Sequence, residues 1–196
     1  RRVVPHLIDG SFGGRGALHA ITSPQRRSRP LSPMADAAAL LIRPERPDHP
    51  EVAAMLAALD RYLGELYEPQ DNYIMDAEAL LSSEVIFLVA EQERRLVGCG
   101  AVRVAAAEQS TSGRPYGEVK RMMVLPALRG QRIGERLLSA LERSLLVRQI
   151  DRALLETGGL QTSAVRLYER CGYRRRGPFG DYPDNGLSWF FEKRLA

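Results

Sequence analysis

The sequence has few of the residues that build disulfide scaffolds, zinc sites and histidine-based active sites. Its 196 residues include two cysteines, Cys99 and Cys171, and three histidines, His6, His19 and His49. Two cysteines without a Cys-x-x-Cys spacing are too few for a disulfide framework or a zinc site. All three histidines precede the motifs described below, so the main body has no candidate for a His-based triad or a metal site. We expect a reduced, cytoplasmic protein that uses no metal.

The sequence also lacks a long apolar run. No stretch approaches the roughly 18 consecutive apolar residues that indicate a membrane-spanning helix. The hydrophobic fraction of 44% and the charged fraction of 27% are typical of a soluble globular protein. A chain of 196 residues is long enough for one α/β domain with a sizeable core and too short for two ordinary ones. We expect one domain without a membrane partner.

The positive net charge is confined to the N-terminal part of the chain. The whole sequence carries +4, but residues 1–33 alone carry +5 and residues 34–196 carry −1. The main body therefore has no basic excess to indicate a nucleic-acid partner. Residues 1–33 are rich in Gly, Ser, Pro and Arg without a sustained period, which predicts a disordered extension or leader. An organelle transit sequence is the alternative for this segment, and residues 34–196 form the predicted domain.

Hydrophobic periodicity predicts clustered strands that later alternate with helices. Such an order favours an α/β domain built on a mixed sheet with helices on both faces. The predicted strands are 40–43, 86–90, 96–105, 117–125, 153–156 and 187–193. The predicted helices are 52–63, 76–82, 130–149 and 162–171.

The most informative segment is a strand, a short turn and a helix start between Glu118 and Gly134. A helix start offers unpaired backbone N–H groups and the positive end of the helix dipole, which together bind phosphate. Gly130 would let the backbone approach the anion closely, and Arg129 and Arg132 add positive charge. Neither Gly-x-Gly-x-x-Gly nor Gly-Lys-Ser/Thr is present, which disfavours a dinucleotide fold or a nucleotide P-loop. Gly-x-x-x-Gly alone is more common as a helix–helix packing feature than as a phosphate site.

Three linked segments resemble the GNAT superfamily of N-acetyltransferases. The family signature Gln/Arg-x-x-Gly-x-Gly/Ala corresponds to residues 129–134, with Arg132 in place of the first signature glycine. A later helix carries Tyr168, followed by Gly172 and Tyr173, as the family pattern requires. The resemblance covers residues 42–195. It implies a largely antiparallel mixed sheet whose fourth and fifth strands are parallel and splay apart.

The resemblance also implies that acetyl-CoA is the co-substrate and lies in the gap between the splayed strands. Backbone amides of residues 123–125 would bind the thioester and pantetheine, and residues 130–135 would hold the pyrophosphate. A donor aimed at the thioester oxygen would stabilise the developing oxyanion by roughly 3 kcal/mol. The predicted cofactor-binding residues are Met122, Met123, Val124, Leu125, Arg129, Gly130, Gln131, Arg132, Ile133, Gly134, Glu135 and Gln161.

Glu118 and Tyr168 are the predicted catalytic residues. Glu118 lies six residues before Val124, so strand alternation places both side chains on one face. The histone-acetyltransferase branch of the family has a glutamate that acts as the base at the position matching Glu118. Glu118 would deprotonate the acceptor amine, unless it merely pairs with Lys120 or an arginine. In the family, the tyrosine that matches Tyr168 acts as the general acid toward the leaving thiolate. The alternative is that Tyr168 is a core residue that packs the helix against the sheet.

The acceptor side is predicted from aromatic residues in irregular segments. They are Tyr67, Tyr73, Phe179 and Tyr182, and they either line a substrate pocket or pack loops onto the core. We expect acetyl transfer to a primary amine of a small molecule by direct attack in a ternary complex. The alternatives are acetylation of a protein N-terminus or lysine, and a catalytically silent CoA-binding module. The resemblance is also compatible with a homodimer.

Overall fold

The computed structural model describes residues 39–196, so the predictions for residues 1–33 lie outside the described residues. No helix in the described part is long and apolar enough to cross a membrane. The cytoplasmic setting stays a prediction. The strands are β1 Leu41–Pro44, β2 Val85–Gln92, β3 Arg95–Ala105, β4 Tyr116–Val124, β5 Arg152–Gly158, β6 Arg174–Arg176 and β7 Ser188–Arg194. The α-helices are α1 Pro50–Leu66, α2 Ile133–Val147 and α3 Thr162–Arg170.

The strands form one seven-stranded sheet in the order β1-β2-β3-β4-β5-β7-β6. Only β4 and β5 pair in parallel, and the other neighbours pair antiparallel. The central strands are apolar on both faces because both are covered. On β2, Phe87 and Val89 pack toward α1, whereas Leu88 and Ala90 pack toward α2 and α3. The predicted mixed, largely antiparallel sheet with helices on both faces is confirmed.

The parallel pair is short, and this opens the sheet. Between β4 and β5 only Gly117 pairs with Ala153 and Glu118 with Leu154, after which the strands separate. Further along β4, a bulge places two residues, Arg121 and Met122, between the partners of Cys99 and Ala101 on β3. Arg121 adopts a left-handed backbone with a φ of 57°. A bulge bends its strand and increases the local twist, so it turns the end of β4 away from β5.

The bulge also changes which side chains share a face. The sequence prediction that Glu118 and Val124 project together is wrong. Val119 and Val124 both pack into the core beneath α2, so Glu118, which neighbours Val119 on the strand, faces the opposite side. One extra residue shifts the alternation by one position, and every side chain beyond the bulge changes face.

The helix that follows β4 starts later than the sequence predicts. Residues Pro126–Leu128 form a 3₁₀ turn, and α2 begins only at Ile133. Gly130 has a φ of 85° and Arg132 a φ of 59°, and such left-handed residues cannot continue a right-handed helix. The predicted helix over 130–149 is therefore corrected to Ile133–Val147, with Gly130 in the preceding turn.

Two smaller elements also differ from the sequence prediction. The predicted helix over 76–82 is only a 3₁₀ turn at Ala79–Leu81, although Asp76 caps it as expected by accepting a hydrogen bond from the Ala79 N–H at 2.7 Å. The edge strand β6 was not predicted. Its three residues are all arginines, and neither length nor apolar alternation distinguishes so short a strand from a loop.

Candidate active site

A cleft of about 320 Å³ opens where β4 and β5 separate. Its walls come from the end of β4, the turn before α2, the first turn of α2 and one face of α3. We call it the cofactor cleft. Ten of the predicted cofactor-binding residues line it: Met122, Met123, Val124, Arg129, Gly130, Arg132, Ile133, Gly134, Glu135 and Gln161.

The two remaining predicted residues, Leu125 and Gln131, do not line the cleft. The Leu125 N–H donates to the Val97 carbonyl at 2.9 Å, and its side chain packs in the core under α1. Its amide is therefore already used and is not a donor for the cofactor. The predicted strand 117–125 included Leu125, but the sequence did not reveal that this amide pairs with β3.

The two glycines of this segment, Gly130 and Gly134, serve different purposes. Gly130 needs its left-handed φ of 85° for the turn, and no atom lies within 4 Å of where a Cβ would stand. A Cβ on Gly134 would lie 3.2 Å from the Cδ2 of Leu167, so this glycine lets α2 and α3 approach closely. The helix-packing alternative thus applies to Gly134. The turn at Gly130 leaves the first N–H groups of α2 at the edge of the cleft, where a phosphate would meet them.

Two further arginines, which the sequence analysis missed, line the cofactor cleft from α3. Arg166 and Arg170 are four residues apart and therefore lie on the same face of the helix. Arg170 also contacts the Glu135 carboxylate at 3.2 Å. With Arg129 and Arg132 they give the cleft four arginines. The spacing of four residues in the predicted helix was the available signal.

A second, smaller cavity of about 90 Å³ lies beside the cofactor cleft. It is enclosed by the end of α1 and the loop after it, β4, β5, α3 and the start of β7. We call it the acceptor cavity. Its polar lining residues include Asn72, Lys120, Glu156, Thr157, Gln161 and Ser188. Five residues line both the cavity and the cleft: Leu59, Met122, Gln161, Ala164 and Tyr168.

Tyr168 lies on this shared wall. Its ring packs against Tyr173 and Phe191, with centroid separations of 5.8 and 6.4 Å, so the core fixes its position. Burial, with a further contribution from the Glu156 carboxylate, raises the pKa of the Tyr168 hydroxyl well above its ordinary value. The hydroxyl therefore stays protonated at neutral pH, which is the state that a general acid requires. Its catalytic role stays a prediction.

Glu118 is completely buried, and both of its carboxylate oxygens are engaged. Arg103 donates to Oε2 at 2.6 Å. Tyr182 donates its hydroxyl to Oε1 at 2.5 Å, and the Lys120 Nζ lies 3.4 Å from the same oxygen. Glu118 does not line the acceptor cavity, although Lys120 does. The ion pairing considered as the alternative is therefore present, and the role of Glu118 as the base stays a prediction.

Glu156 is a carboxylate that the sequence analysis did not select. It lies on β5, lines the acceptor cavity and accepts a hydrogen bond from the Ser188 hydroxyl at 2.7 Å. Burial raises the pKa of Glu156, while the Ser188 hydrogen bond and the charge of Lys120 partly oppose that rise. No motif marks this residue, because it is one acidic position at the end of an apolar strand.

The four predicted acceptor-side aromatics separate into two pairs. Tyr67 and Tyr73 line the acceptor cavity, and the Tyr67 hydroxyl accepts a hydrogen bond from the Leu160 N–H at 3.1 Å. Phe179 is 2% exposed and packs edge-on against Tyr116, Tyr182 and Phe190. Phe179 and Tyr182 do not line the cavity, so they pack the loop 177–183 onto the sheet. Tyr182 contacts two residues of the cavity lining, Lys120 by a hydrogen bond and Tyr73 by an edge-on ring contact.

Comparison with known proteins agrees with this architecture. A sequence profile described as an acetyltransferase (GNAT) domain matches residues 83–175. A protein of Azospirillum brasilense named IAA acetyltransferase is 42% identical over 151 residues, covering 77% of this chain and 95% of the relative.

Solved structures show the same fold. The crystal structure of a candidate acyl-CoA N-acyltransferase from Klebsiella pneumoniae has a TM-score of 0.65 and 35% identity, covering 80% of this chain and 98% of that chain. An aminoglycoside 6′-N-acetyltransferase complexed with coenzyme A has a TM-score of 0.57 and 18% identity, covering 80% and 97%. The latter likeness concerns the fold alone. With its splayed parallel strands, its glycine turn before α2 and these relatives, the chain belongs to the GNAT family of acetyltransferases.

Proposed function

We propose that this protein transfers the acetyl group of acetyl-CoA to a primary amine of a small molecule, by direct attack in a ternary complex. The observation that carries the proposal is the meeting of two sites at one wall. The cofactor cleft and the acceptor cavity both include Tyr168, Met122 and Gln161 in their lining. A thioester at the inner end of the cleft would therefore face an amine in the cavity.

The cofactor cleft fits a long, anionic, partly apolar molecule such as acetyl-CoA. The first N–H groups of α2 and four arginines supply the positive end for a diphosphate. Met122 and Val124 supply apolar surface toward the interior. The gap between β4 and β5 leaves strand-edge groups unpaired by a neighbouring strand, as an extended pantetheine arm requires.

The acceptor cavity favours a small molecule over a protein. Its volume of about 90 Å³ admits the end of a small amine, and residues 71–75 of the loop after α1 line one side of it. The relative from Azospirillum brasilense is also named for a small-molecule acceptor. A protein N-terminus or a lysine would require an open groove on this side, and a silent CoA-binding module would not require the second cavity.

Direct transfer is favoured over an acetyl-cysteine intermediate. Burial raises the pKa of the Cys99 thiol to about 12, so almost none of it is thiolate at neutral pH. Cys99 also lies outside the lining of both the cleft and the acceptor cavity. An amine bound beside Tyr168 would meet the thioester without this thiol.

The test is acetyl-CoA turnover across a panel of small primary amines. We expect coenzyme A to be released only when an acceptor is added, in equal amount with an N-acetylated product identified by mass spectrometry. Initial rates with both substrates varied should give intersecting lines, as a ternary complex requires. Parallel lines would indicate a covalent intermediate. Calorimetric binding of coenzyme A without turnover on any amine would favour the silent module.

The cellular location and the partners are proposed from the cysteines and the net charge. We propose a cytoplasmic enzyme, because Cys99 and Cys171 are both free thiols. We propose no nucleic-acid partner, because residues 34–196 carry a net charge of −1. A homodimer stays a prediction, which sedimentation of the purified protein would test.

A further inference from the structure

The acceptor cavity contains a carboxylate that is less fully engaged than Glu118. Glu156 lies on the cavity wall together with Tyr168 and Lys120, close to the wall shared with the cofactor cleft. Ser188 donates to one of its oxygens, and no other residue within 39–196 donates a hydrogen bond to the carboxylate. An amine entering the cavity would therefore find an acceptor oxygen that the fold has not already used.

Glu118 is engaged in a different way. Arg103, Tyr182 and Lys120 surround its two oxygens, and its side chain has no exposed surface. Receiving a proton there would require an acceptor to displace one of these partners. Lys120 lies between Glu118 and the cavity, since it contacts the carboxylate at 3.4 Å and also lines the cavity wall. Glu118 therefore pairs with a cation of the cavity wall and does not itself line the cavity.

We propose that Glu156 is the group that binds the acceptor ammonium and removes its proton, and that Glu118 positions Lys120. The proposal rests on the proposed acetyl transfer. One proton passes from the ammonium to Glu156, and the neutral nitrogen attacks the thioester carbonyl. The C–N bond forms and the C–S bond breaks. Tyr168 gives its hydroxyl proton to the leaving thiolate. The nitrogen then loses its second proton, which passes through solvent to the Tyr168 oxygen and restores the hydroxyl. The proton on Glu156 is then released.

The surroundings of Glu156 make its carboxylate a stronger base than that of an exposed glutamate. Burial raises the pKa of its carboxyl group, and the negative charge of Glu118 raises it further, while Ser188 and Lys120 lower it. A base is most effective when its pKa lies near the working pH. Several charged or titratable groups among the described residues line the same cavity as Glu156 or influence it electrostatically. They are Tyr67, Asp71 and Tyr73 after α1, Glu118, Lys120 and Arg121 on β4, Tyr168 on α3, and Tyr182 in the loop before β7, while Ser188 on β7 donates the hydrogen bond.

The first test replaces the carboxylate by an amide of the same shape. With an alkylamine acceptor, we expect Glu156→Gln to lower kcat by about a hundredfold, the usual scale for removal of a general base. With an arylamine that is already neutral at the assay pH, we expect a much smaller loss, because no ammonium proton has to be removed. The Kd for coenzyme A, measured by calorimetry, should not change. Equal losses with both acceptors, or unchanged turnover, would overturn the proposal.

The second test moves the pKa without removing the carboxylate. Replacing Ser188 by Ala deletes the hydrogen bond that lowers the pKa of Glu156, so the acid limb of the pH profile of kcat/KM should shift to higher pH. The readout is the position of the acid limb and not the height of the plateau, because Ser188 also lines the acceptor cavity. Ser144→Ala is the matched control, because its hydroxyl bonds only to the Ala140 carbonyl within α2 at 2.9 Å, far from the cavity. An unchanged acid limb in Ser188→Ala would contradict the proposal.

A stability measurement keeps the test independent of turnover. Because the folded state raises the pKa of Glu156, its ionisation costs stability. That cost is absent below the unfolded pKa of about 4.3, grows as the pH rises, and is complete above the folded pKa. We expect the Tm of Glu156→Gln to exceed that of the wild type at pH 8 and to match it at pH 4. A lower Tm at pH 8 would make Glu156 a structural residue and overturn the proposal.

Failure of the proposed function has a different signature. In that case the wild-type protein acetylates no amine, while the Tm difference between wild type and Glu156→Gln still reports a buried, charged carboxylate. If instead the wild type is active and Glu118→Gln, rather than Glu156→Gln, abolishes the acid limb of the pH profile, Glu118 is the base and the proposal for Glu156 is wrong.

Discussion

The cofactor cleft and the acceptor cavity share a wall but are built by different means. The cleft takes most of its lining from one continuous stretch, residues 122–135, and presents backbone amides and exposed arginines to its ligand. The cavity is assembled from segments far apart in the chain, and its lining contains both cationic and anionic side chains. An anion can be bound by local backbone geometry alone. Binding and deprotonating an amine requires a carboxylate at a particular place, and only the packing of the sheet sets that place.

The largest expected effect falls on the acceptor side. Replacing Glu118 by Gln would leave Lys120 and Arg103 without their carboxylate partner. We expect the free energy of unfolding to fall by about 3 kcal/mol, which is the lower end of the range for a broken buried ion pair. The lower end applies because Arg103 is 46% exposed. Urea denaturation followed by circular dichroism would measure it.

Glu142→Gln is the comparison for this loss. Glu142 accepts one hydrogen bond from Lys193 at 2.7 Å and is likewise mostly buried, so its loss should be smaller, about 1 kcal/mol. An equal loss in both variants would mean that the ion pairs around Glu118 contribute no more to the free energy of unfolding than the single ion pair of Glu142. The affinity for coenzyme A should change in neither variant.

The next effect concerns the wall common to both sites. Replacing Tyr168 by Phe removes the hydroxyl and keeps the ring that packs against Phe191. We expect kcat to fall by ~10²-fold because the leaving thiolate loses its acid, while the Kd for coenzyme A stays within about twofold. Tyr173→Phe is the control, since Tyr173 packs against Tyr168 but lines neither site. Unchanged turnover in Tyr168→Phe would remove this residue from the mechanism.

The smallest effect falls on the cofactor side. Replacing both Arg166 and Arg170 by Ala should weaken coenzyme A binding by about tenfold, since charge-assisted contacts to phosphate are partly screened at an exposed site. The acceptor KM, measured at saturating acetyl-CoA, should not change. Arg148→Ala at the far end of α2 is the control. A changed acceptor KM, with unaltered affinity for coenzyme A, would contradict the division of the two sites.

The cleft could be predicted from sequence because its elements are local. Residues 118–134 form a strand, a turn and a helix start in direct succession, so their relation in space follows from their order. Ten of twelve predicted cofactor-binding residues line the cleft for this reason. Leu125 was misplaced because its amide bonds to Val97, a partner 28 positions away in the chain. Arg166 and Arg170 were overlooked although their spacing was visible.

The acceptor side could not be predicted with the same success. The bulge at Arg121 has no sequence signature, because a left-handed backbone at a non-glycine residue is imposed by the surrounding sheet. It reversed the expected face of Val124 relative to Glu118. Phe179 and Tyr182 resemble pocket residues in sequence, yet one is core and the other is a partner of Glu118.

The sequence by itself determined the order of the main strands and helices, the family and the glycine turn before α2, because each depends on neighbouring residues and their periodicity. The tertiary structure decided which of two glutamates, Glu118 or Glu156, lines the acceptor cavity. Glu118 and Glu156 are both acidic residues on adjacent strands, and no local pattern separates them. What separates them is which charged side chains the sheet and its loops bring within hydrogen-bonding distance: two cations and a tyrosine for Glu118, and one serine for Glu156.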